Sequence, residues 1–346
     1  MGYLPVPPWS RAGRRLLLLG AWAFVGAAAA QTFGPQAGEA PKAVPDRGFN
    51  EWLLRLHEAS RQRNYIGTFV VSSNTGAMSS ARIWHACDAD QQVERVENLT
   101  GVPRATIRRN SEVATFLPEH RVVRTEKRES LGLFPELLQS KDGTIPEFYT
   151  ARKIGYDRVA GHDAEVVQLA PRDNLRFGYR IWSEKKSGLV VKLQTLDLEG
   201  RVLEQAAFTE LQLDAPLKAD KLAQMMTPPE GWKVEKADVV KTSAAAEGWA
   251  LKTSVPGFRP MSCYRRPAGA PAAPEGTMQW IFSDGLASVS LFVEAYNPQR
   301  HPQEGLFAAG ATQTLTRRIQ DWWLTAVGEV PPQTLKAFAL GLERRK

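Results

Sequence analysis

The sequence predicts a mainly β protein with a few helices, in which a curved antiparallel sheet or open barrel is followed by a smaller β-rich domain. Runs of β-branched and aromatic residues with a period of two recur between residues 65 and 213, and turns separate them. A second set of such runs follows residue 249, after an interval rich in Pro and Ala. The length of 346 residues accommodates two domains of this kind.

The amino terminus has the three zones of a secretory signal peptide. Three arginines precede the apolar run Leu16–Gly26, and the small residues Ala27–Ala30 suit cleavage before Gln31. The apolar run is shorter than the roughly 20 residues that cross a bilayer. Residues 1–30 are therefore predicted to be removed on export. Residues 31–47, rich in Gly, Pro and Ala, are predicted to be a disordered leader.

Residues 48–213 are predicted to form the first domain. Five apolar residues near its start recur at helical spacing, which predicts an amphipathic helix packed on a sheet. They are Phe49, Trp52, Leu53, Leu56 and Ala59. Strands are predicted at residues 65–71, 81–86, 92–97, 106–109, 112–117, 164–169, 176–183, 189–197 and 201–213. Because tight turns join the later strands, we expect an antiparallel meander.

Two segments interrupt the strand pattern. Leu131–Leu138 is apolar and contains Pro135, and we expect a short helix that covers the concave face of the sheet together with the first helix. Residues 214–245 contain a Thr-Pro-Pro run and an alanine run, a composition that favours extended or flexible chain. We therefore interpret residues 214–245 as a linker.

Residues 246–342 are predicted to form the second domain. Alternating apolar residues flank the two-residue turn Asp284-Gly285, which is a strong hairpin signal. Residues 314–318 and 322–327 predict another hairpin, and Pro331-Pro332 is predicted to open a last helix that runs through Leu340.

Composition and motifs exclude several classes of function. The formal charge is +7, but residues 31–346 hold 41 basic and 37 acidic residues, about +4, which is too little to indicate a nucleic-acid partner. No nucleophile elbow, phosphate-binding loop, dinucleotide fingerprint or H-E-x-x-H motif is present. The five histidines and two cysteines lack metal-ligand spacing. We therefore expect no enzyme, no cofactor and no metal site, and we interpret Cys87 and Cys263 as unrelated thiols.

One dense charge cluster runs from His120 to Arg128, just before the apolar segment around Pro135. A solvated surface loop is one interpretation. The other is a mobile basic loop at the mouth of an apolar groove, where cationic side chains pair with phosphates or an acidic peptide. These basic-loop side chains are Arg121, Arg124, Lys127 and Arg128.

The candidates for lining such a groove are aromatic and aliphatic side chains of the first domain. They are Trp84, Phe116, Phe134, Leu137, Leu138, Phe148 and Tyr149. Their alternative role is ordinary core packing, which is usual for aromatic residues on strands. In the second domain the candidates for facing a partner are Arg265, Arg266, Trp322 and Trp323, because Trp and Arg often anchor interfaces.

An ordered set of short motifs across residues 49–340 resembles the RseB/MucB family of periplasmic negative regulators of the sigma-E envelope-stress response. In the first domain these include Tyr65-x-Gly67-Thr68-Phe69-Val70, Leu99-x-Gly101-x-Pro103-Arg104, Phe134-Pro135-x-Leu137-Leu138 and Pro171-Arg172-Asp173-x-x-Arg176-x-Gly178-Tyr179-Arg180-x-Trp182. In the second domain they are Gly257-Phe258, Ser283-Asp284-Gly285-Leu286 and Val327-Gly328-Glu329-Val330-Pro331. The chain departs from the family pattern at Thr100, where Asp is usual, and at the unusually apolar Trp322-Trp323.

The resemblance implies a fold and a role. The first domain would be a half-open barrel similar to the carriers LolA and LppX, with helices in its concavity. The protein would be periplasmic and would bind the periplasmic segment of an RseA- or MucA-type anti-sigma factor. Binding would shield that segment from the site-1 protease, and lipid or lipopolysaccharide would release it.

Two alternatives stay open from the sequence. A periplasmic lipid or lipoprotein carrier would use the same barrel, although a carrier leaves the second domain without a role. An enzyme ranks last, since it would need a polar cluster of perturbed acidity inside the barrel. Assembly into a homo-oligomer is not decided by the sequence.

Overall fold

The computed structural model describes residues 42–43, 46–88, 91–127, 133–138, 143–236, 239–266, 276–301 and 303–345. The expected signal peptide and most of the expected leader lie outside these residues. None of the helices in the described part of the chain is long and apolar enough to cross a membrane.

The first sheet is an open antiparallel meander, in which only the last strand pairs in parallel. Its strands within the described ranges are β1 (Lys42–Ala43), β2 (Tyr65–Ser73), β3 (Met78–Cys87), β4 (Gln92–Asn98), β5 (Ala105–Arg109), β6 (Glu112–Leu117), β7 (Val122–Lys127), β8 (Tyr149–Val159), β9 (His162–Pro171), β10 (Gly178–Glu184), β11 (Val190–Leu196), β12 (Val202–Leu213) and β13 (Lys233–Lys236). The spatial order is β1-β8-β9-β10-β11-β12-β2-β3-β4-β5-β6-β7-β13. The sheet is not closed, because β1 and β13 form its two edges.

The sheet curls around helix α1 (Asp46–Gln62). Strands β8 and β12 contact each other although three strands lie between them in the sheet order. Phe49, Leu53 and Leu56 of α1 are buried in one apolar cluster with residues from β2–β4, β6 and β8–β12. One helical stripe therefore covers the inner face, as the spacing of these residues predicts.

The segment around Pro135 differs from the prediction. Residues 133–138 form a turn and extended chain, and the short helix α2 (Ile145–Phe148) comes later. Phe134 and Leu137 are buried in the inner cluster all the same. Packing therefore holds this segment in place, and its proline, which has no N–H, disfavours a helix there.

The outer face of β3–β7 is also covered. Helix α3 (Ala219–Gln224) contacts β3 and β4, and its Leu222 is buried against Val93 and Ile107. Strand β13 pairs with β7. Residues 214–245 thus contain ordered elements that pack on the first sheet, where composition indicated extended chain, because the outer face is apolar enough to require a cover.

The second sheet has the order β14-β16-β17-β18-β21-β20-β19. Together with a two-stranded pair, β15 and β22, its described strands are β14 (Val240–Lys241), β15 (Trp249–Leu251), β16 (Arg259–Arg266), β17 (Thr277–Ser283), β18 (Ser288–Ala295), β19 (Gly305–Ala309), β20 (Thr312–Ile319), β21 (Trp322–Gly328) and β22 (Leu342–Arg344). Helix α4 (Pro332–Gly341) packs on β20 and β21, with the ring of Phe338 4.9 Å from that of Phe282. Pairing of β17 with β18 and of β20 with β21 confirms both predicted hairpins.

The predicted fold class is confirmed. The chain is mainly β with a few helices, and the larger sheet is followed along the chain by a smaller one. Each sheet buries an apolar cluster of its own.

Candidate functional site

The two sheets meet at a buried ion pair. Arg176 precedes β10 and Asp284 lies in the turn between β17 and β18, 108 residues further along the chain. Arg176 Nε donates to Asp284 Oδ2 at 2.8 Å, and both side chains are fully buried. In such surroundings a charge pair is favourable only when further hydrogen bonds satisfy both partners.

Arg176 has those further partners. Its Nη2 donates to the carbonyl oxygen of Pro256 at 2.6 Å, and its Nη1 pairs with Asp173. The guanidinium lies 4.3 Å from the ring centroid of Phe148 and 5.0 Å from that of Phe258. We call the part of the chain that forms the first sheet the first half and the part that forms the second sheet the second half. Arg176 is held between an aromatic ring of each half, in the geometry of a cation–π contact.

Asp284 is satisfied from both halves as well. Its Oδ1 accepts the backbone N–H groups of Leu286 and Ala287 at 3.0 and 2.8 Å, and its Oδ2 accepts the hydroxyl of Tyr149 at 3.1 Å. Burial raises the pKa of Tyr149 well above its usual value, so the phenol keeps the proton that it donates.

The side chains of Arg176 and Phe148 approach the backbone at position 257 so closely that only glycine fits there. Its φ is +79°, and a Cβ there would lie 2.1 Å from Arg176 Nη2 and 2.7 Å from the Phe148 ring. Next to it, Leu286 enters the inner cluster of the first sheet, and Thr334 Oγ1 donates to the carbonyl of Leu175 at 2.7 Å. We call this set of contacts between the halves the junction.

The structure divides the seven groove candidates between two faces. Phe134, Leu137, Leu138, Phe148 and Tyr149 lie together at the inner cluster, with the ring of Phe134 4.9 Å from that of Phe208. Trp84 and Phe116 lie on the outer face instead. Side chains of a strand alternate between faces, and Ile83 and Val113 take the inner positions of the same strands.

The inner face also holds a buried polar cluster that the sequence analysis missed. Arg108 on β5 pairs with Glu94 on β4 at 3.2 Å, and both are nearly inaccessible. The sequence signal for this cluster was the presence of polar residues at alternating positions of β4 and β5. Alternation alone does not show which face of a strand is buried.

His85 belongs to this polar cluster. Its Nδ1 donates to the carbonyl of Arg63 at 2.6 Å and its Nε2 accepts from the Gln92 side chain at 2.8 Å, while its ring stacks on Tyr65 at 4.9 Å. Burial lowers the pKa of His85 to about 4, with a smaller contribution from the charge of Arg108. The imidazole is therefore neutral in the folded protein at neutral pH.

The predicted basic loop is a strand with a turn before it. Arg121 is exposed at φ +50°, and Arg124 and Lys127 lie on β7. Arg124 Nη2 pairs with Glu235 of β13 at 3.4 Å. Arg128 lies outside the described residues. Val123 is fully buried and holds β7 against the sheet, so Arg124 and Lys127 belong to a paired strand next to the edge strand β13.

The partner-facing candidates of the second sheet are only partly exposed. Arg265 is exposed and pairs with Glu247, and Arg266 is half-buried. Trp322 is half-buried, with its ring 5.7 Å from Trp249. Trp323 is 5% exposed and stacks on His301 at 4.8 Å, so little of its ring is accessible, and its partner-facing role stays a prediction.

The cysteines and possible metal ligands are dispersed. Cys87, at the end of β3, and Cys263, on β16, are both free thiols. In the described part of the chain, no group of three or more His, Cys, Asp or Glu side chains is placed to hold a metal ion.

Family models match most of the chain. The model for the MucB/RseB N-terminal domain matches residues 49–226, and that for the MucB/RseB C-terminal domain matches residues 243–343. The regulatory protein MucB of sigma factor AlgU, from Pseudomonas aeruginosa, is 30% identical over 85% of this chain and 90% of its own length. The sigma-E factor regulatory protein RseB of Escherichia coli K12 is 26% identical over 83% of this chain and 88% of its own.

Solved structures agree with these relatives. MucB crystallised in complex with MucA(peri) superposes with a TM-score of 0.63 at 27% identity, over 86% of this chain and 98% of that one. MucB alone gives a TM-score of 0.61 at 25% identity, over 85% and 97% of the two chains. The similarity therefore includes both sheets.

Replacement of Arg176 by Ala should destabilise the protein strongly. The change leaves the Asp284 carboxylate buried without its cation, which costs about 3–5 kcal/mol. Urea unfolding of the two proteins measures the difference. The control Arg201→Ala, which removes an exposed guanidinium that pairs with Asp197, should change the unfolding midpoint far less. Equal midpoints for the Arg176 variant and the parent protein would contradict the role of the junction.

Acid should destabilise the protein through His85. Its folded pKa of about 4 lies below the unfolded value of about 6.5, so the unfolded chain binds the proton first. The contribution of neutral His85 is complete above pH 6.5 and is lost as the pH falls towards 4, by about 3 kcal/mol in total. Urea midpoints at pH 7 and 4.5 test this, and His85→Gln should reduce the difference between them. An unchanged pH dependence in that variant would exclude His85 as the cause.

Proposed function

The chain belongs to the MucB/RseB family, and we propose on that basis that it is a regulatory binding protein for the periplasmic segment of a membrane-spanning anti-sigma factor. The observation that carries the proposal is the similarity to MucB in complex with MucA(peri), which extends over 86% of this chain. Both halves that such a regulator has are present here and are joined through Arg176 and Asp284.

The proposed action is restraint of a stress response by protection. Bound to the anti-sigma segment, the protein would shield it from the site-1 protease and so keep the sigma-E-type factor inactive. The amino-terminal pattern around Leu16–Gly26 supports export to the periplasm, where such a segment is accessible. We propose that partner binding lies in residues 246–342, and that residues 214–245, whose α3 and β13 pack on the first sheet, connect this part to the domain of residues 48–213.

Lipid is the proposed release signal, sensed inside the first sheet. The inner cluster is apolar, and residues 133–138 that cover it are neither helix nor strand. An acyl chain could therefore replace the side chains of Phe134 and Leu137 without breaking the backbone hydrogen bonds of a helix or a sheet. Such a ligand would prefer the protein with residues 133–138 displaced from the inner cluster. It changes partner binding only by as much as its own affinity differs between the covered and the uncovered state.

A carrier of lipid or lipoprotein is the second candidate, favoured by the same apolar interior. A carrier function gives no role to the contacts of the junction. The decisive difference between the two functions is whether the protein binds an anti-sigma segment.

The test is a pull-down of residues 31–346 with the periplasmic segment of the host's anti-sigma factor, with and without purified lipopolysaccharide. Binding that lipopolysaccharide reverses is the expected result. Binding that it leaves intact would keep the regulator and exclude lipid as the signal. Capture of lipopolysaccharide without the segment would favour the carrier.

Replacement of Arg121, Arg124, Lys127 and Arg128 together by Ser should weaken release by anionic lipid and leave the fold intact. Arg121 and Arg124 are exposed, and exposed charges of this kind contribute little to stability. The measurement is the concentration of lipopolysaccharide that releases half of the bound segment, which should rise severalfold, with circular dichroism as the control for folding. An unchanged concentration would remove these cations from the lipid response.

A further inference from the structure

A second cleft lies on the outer face of the first sheet, away from the inner cluster and formed by none of the junction residues. Residues 225–232, which we call the strap, run from the end of α3 to β13 and are mostly exposed. Between the strap and strands β4–β6 the structure leaves a cleft of about 340 Å³. Its principal lining residues are Arg95, Arg104, Phe116, Met225, Pro229 and Trp232.

The floor of the outer cleft is aromatic. Phe116 projects outward from β6, and Trp232 at the end of the strap meets it at 6.3 Å between ring centroids. Met225, 48% exposed, and Pro229 extend the apolar surface along the strap. Phe116 and Trp232 are in aromatic contact, so the apolar surface open to a ligand is that of Trp232, Met225 and Pro229 beside this pair.

The rim of the outer cleft is positively charged. Arg95 reaches it from β4 with Nη2 on Glu97 at 2.9 Å, and its guanidinium lies 5.4 Å from the Trp84 ring centroid. Arg104 is exposed and forms no ion pair with any residue in the described ranges. Among the residues that line the cleft, Glu97 is the one acid and pairs with Arg95, which leaves the Arg104 guanidinium to meet an acidic ligand, while the acid of the strap, Glu230, is not among the lining residues.

We propose that the outer cleft binds an acidic peptide segment through one aromatic or large aliphatic anchor. The anchor side chain packs on Trp232, Met225 and Pro229 beside the Phe116–Trp232 pair, and flanking carboxylates pair with Arg104 and Arg95. The volume of the cleft accommodates a side chain and its neighbours and is at the lower end for ligand sites, which favours a peptide over the longer acyl chains of a membrane lipid. The site extends the proposed function, because it gives the first half a protein contact of its own.

The probe for this site is a fluorescein-labelled, amidated pentapeptide Asp-Glu-Phe-Glu-Asp, titrated with the full mature chain at low salt and followed by anisotropy. We expect saturable binding that weakens as salt is added. Arg104→Gln should weaken it about five- to tenfold, and the same peptide with Ala in place of Phe should lose about tenfold. Trp232→Leu, which keeps the apolar cover, should also weaken binding.

The matched control is Arg109→Gln, which removes an exposed arginine at the far end of β5, the strand that Arg104 immediately precedes; Arg109 lies outside the cleft, so the affinity should be unchanged. Equal losses in Arg109→Gln and Arg104→Gln would reduce the effect to general electrostatics and overturn the proposal. Absence of saturable peptide binding would overturn it as well. Capture of phosphatidylglycerol vesicles, lost in Arg104→Gln while the peptide does not bind, would assign the cleft to a membrane surface instead. Since the probe is not the anti-sigma segment, failure here leaves the pull-down result unaffected.

Discussion

The buried pair of Arg176 and Asp284 is the interaction on which the arrangement of this protein depends. A guanidinium and a carboxylate without access to water are stable only with all their hydrogen-bonding groups engaged, and here both halves of the chain supply the partners. The requirement extends to Gly257, where any side chain would collide with Arg176. Because each half supplies hydrogen-bond partners to the same ion pair, the pair fixes how the two halves meet.

Local pattern predicted much of the fold. The stripe of Phe49, Leu53 and Leu56 produced α1, and the Asp284-Gly285 turn produced the hairpin of β17 and β18, since both depend on neighbours in sequence. The faces of Trp84 and Phe116 were not predictable in this way. The inner and outer faces of β3–β6 are both covered, so burial of one face gives no information on the other.

The candidate sites were harder to predict than the fold. Trp323 is buried by His301, which comes from a loop 22 residues earlier in the chain, and no periodicity indicates that contact. Arg176, Asp284 and Gly257 all occur in motifs that resemble the family, yet only the structure shows that these motifs meet. Arg108 and Glu94 lie opposite each other on the neighbouring strands β5 and β4, and it is the burial of this pair that depends on the curl of the sheet around α1. Only the junction joins residues over a long separation, 108 positions between Arg176 and Asp284.

The most direct test of the central claim is hydrogen–deuterium exchange of the mature chain with and without the periplasmic segment of the host's anti-sigma factor. If the protein binds the segment as one unit coupled through the junction, exchange should slow in both halves, including residues 172–178 and 284–287. Slower exchange in only one half, or no change at any residue, would contradict the claim.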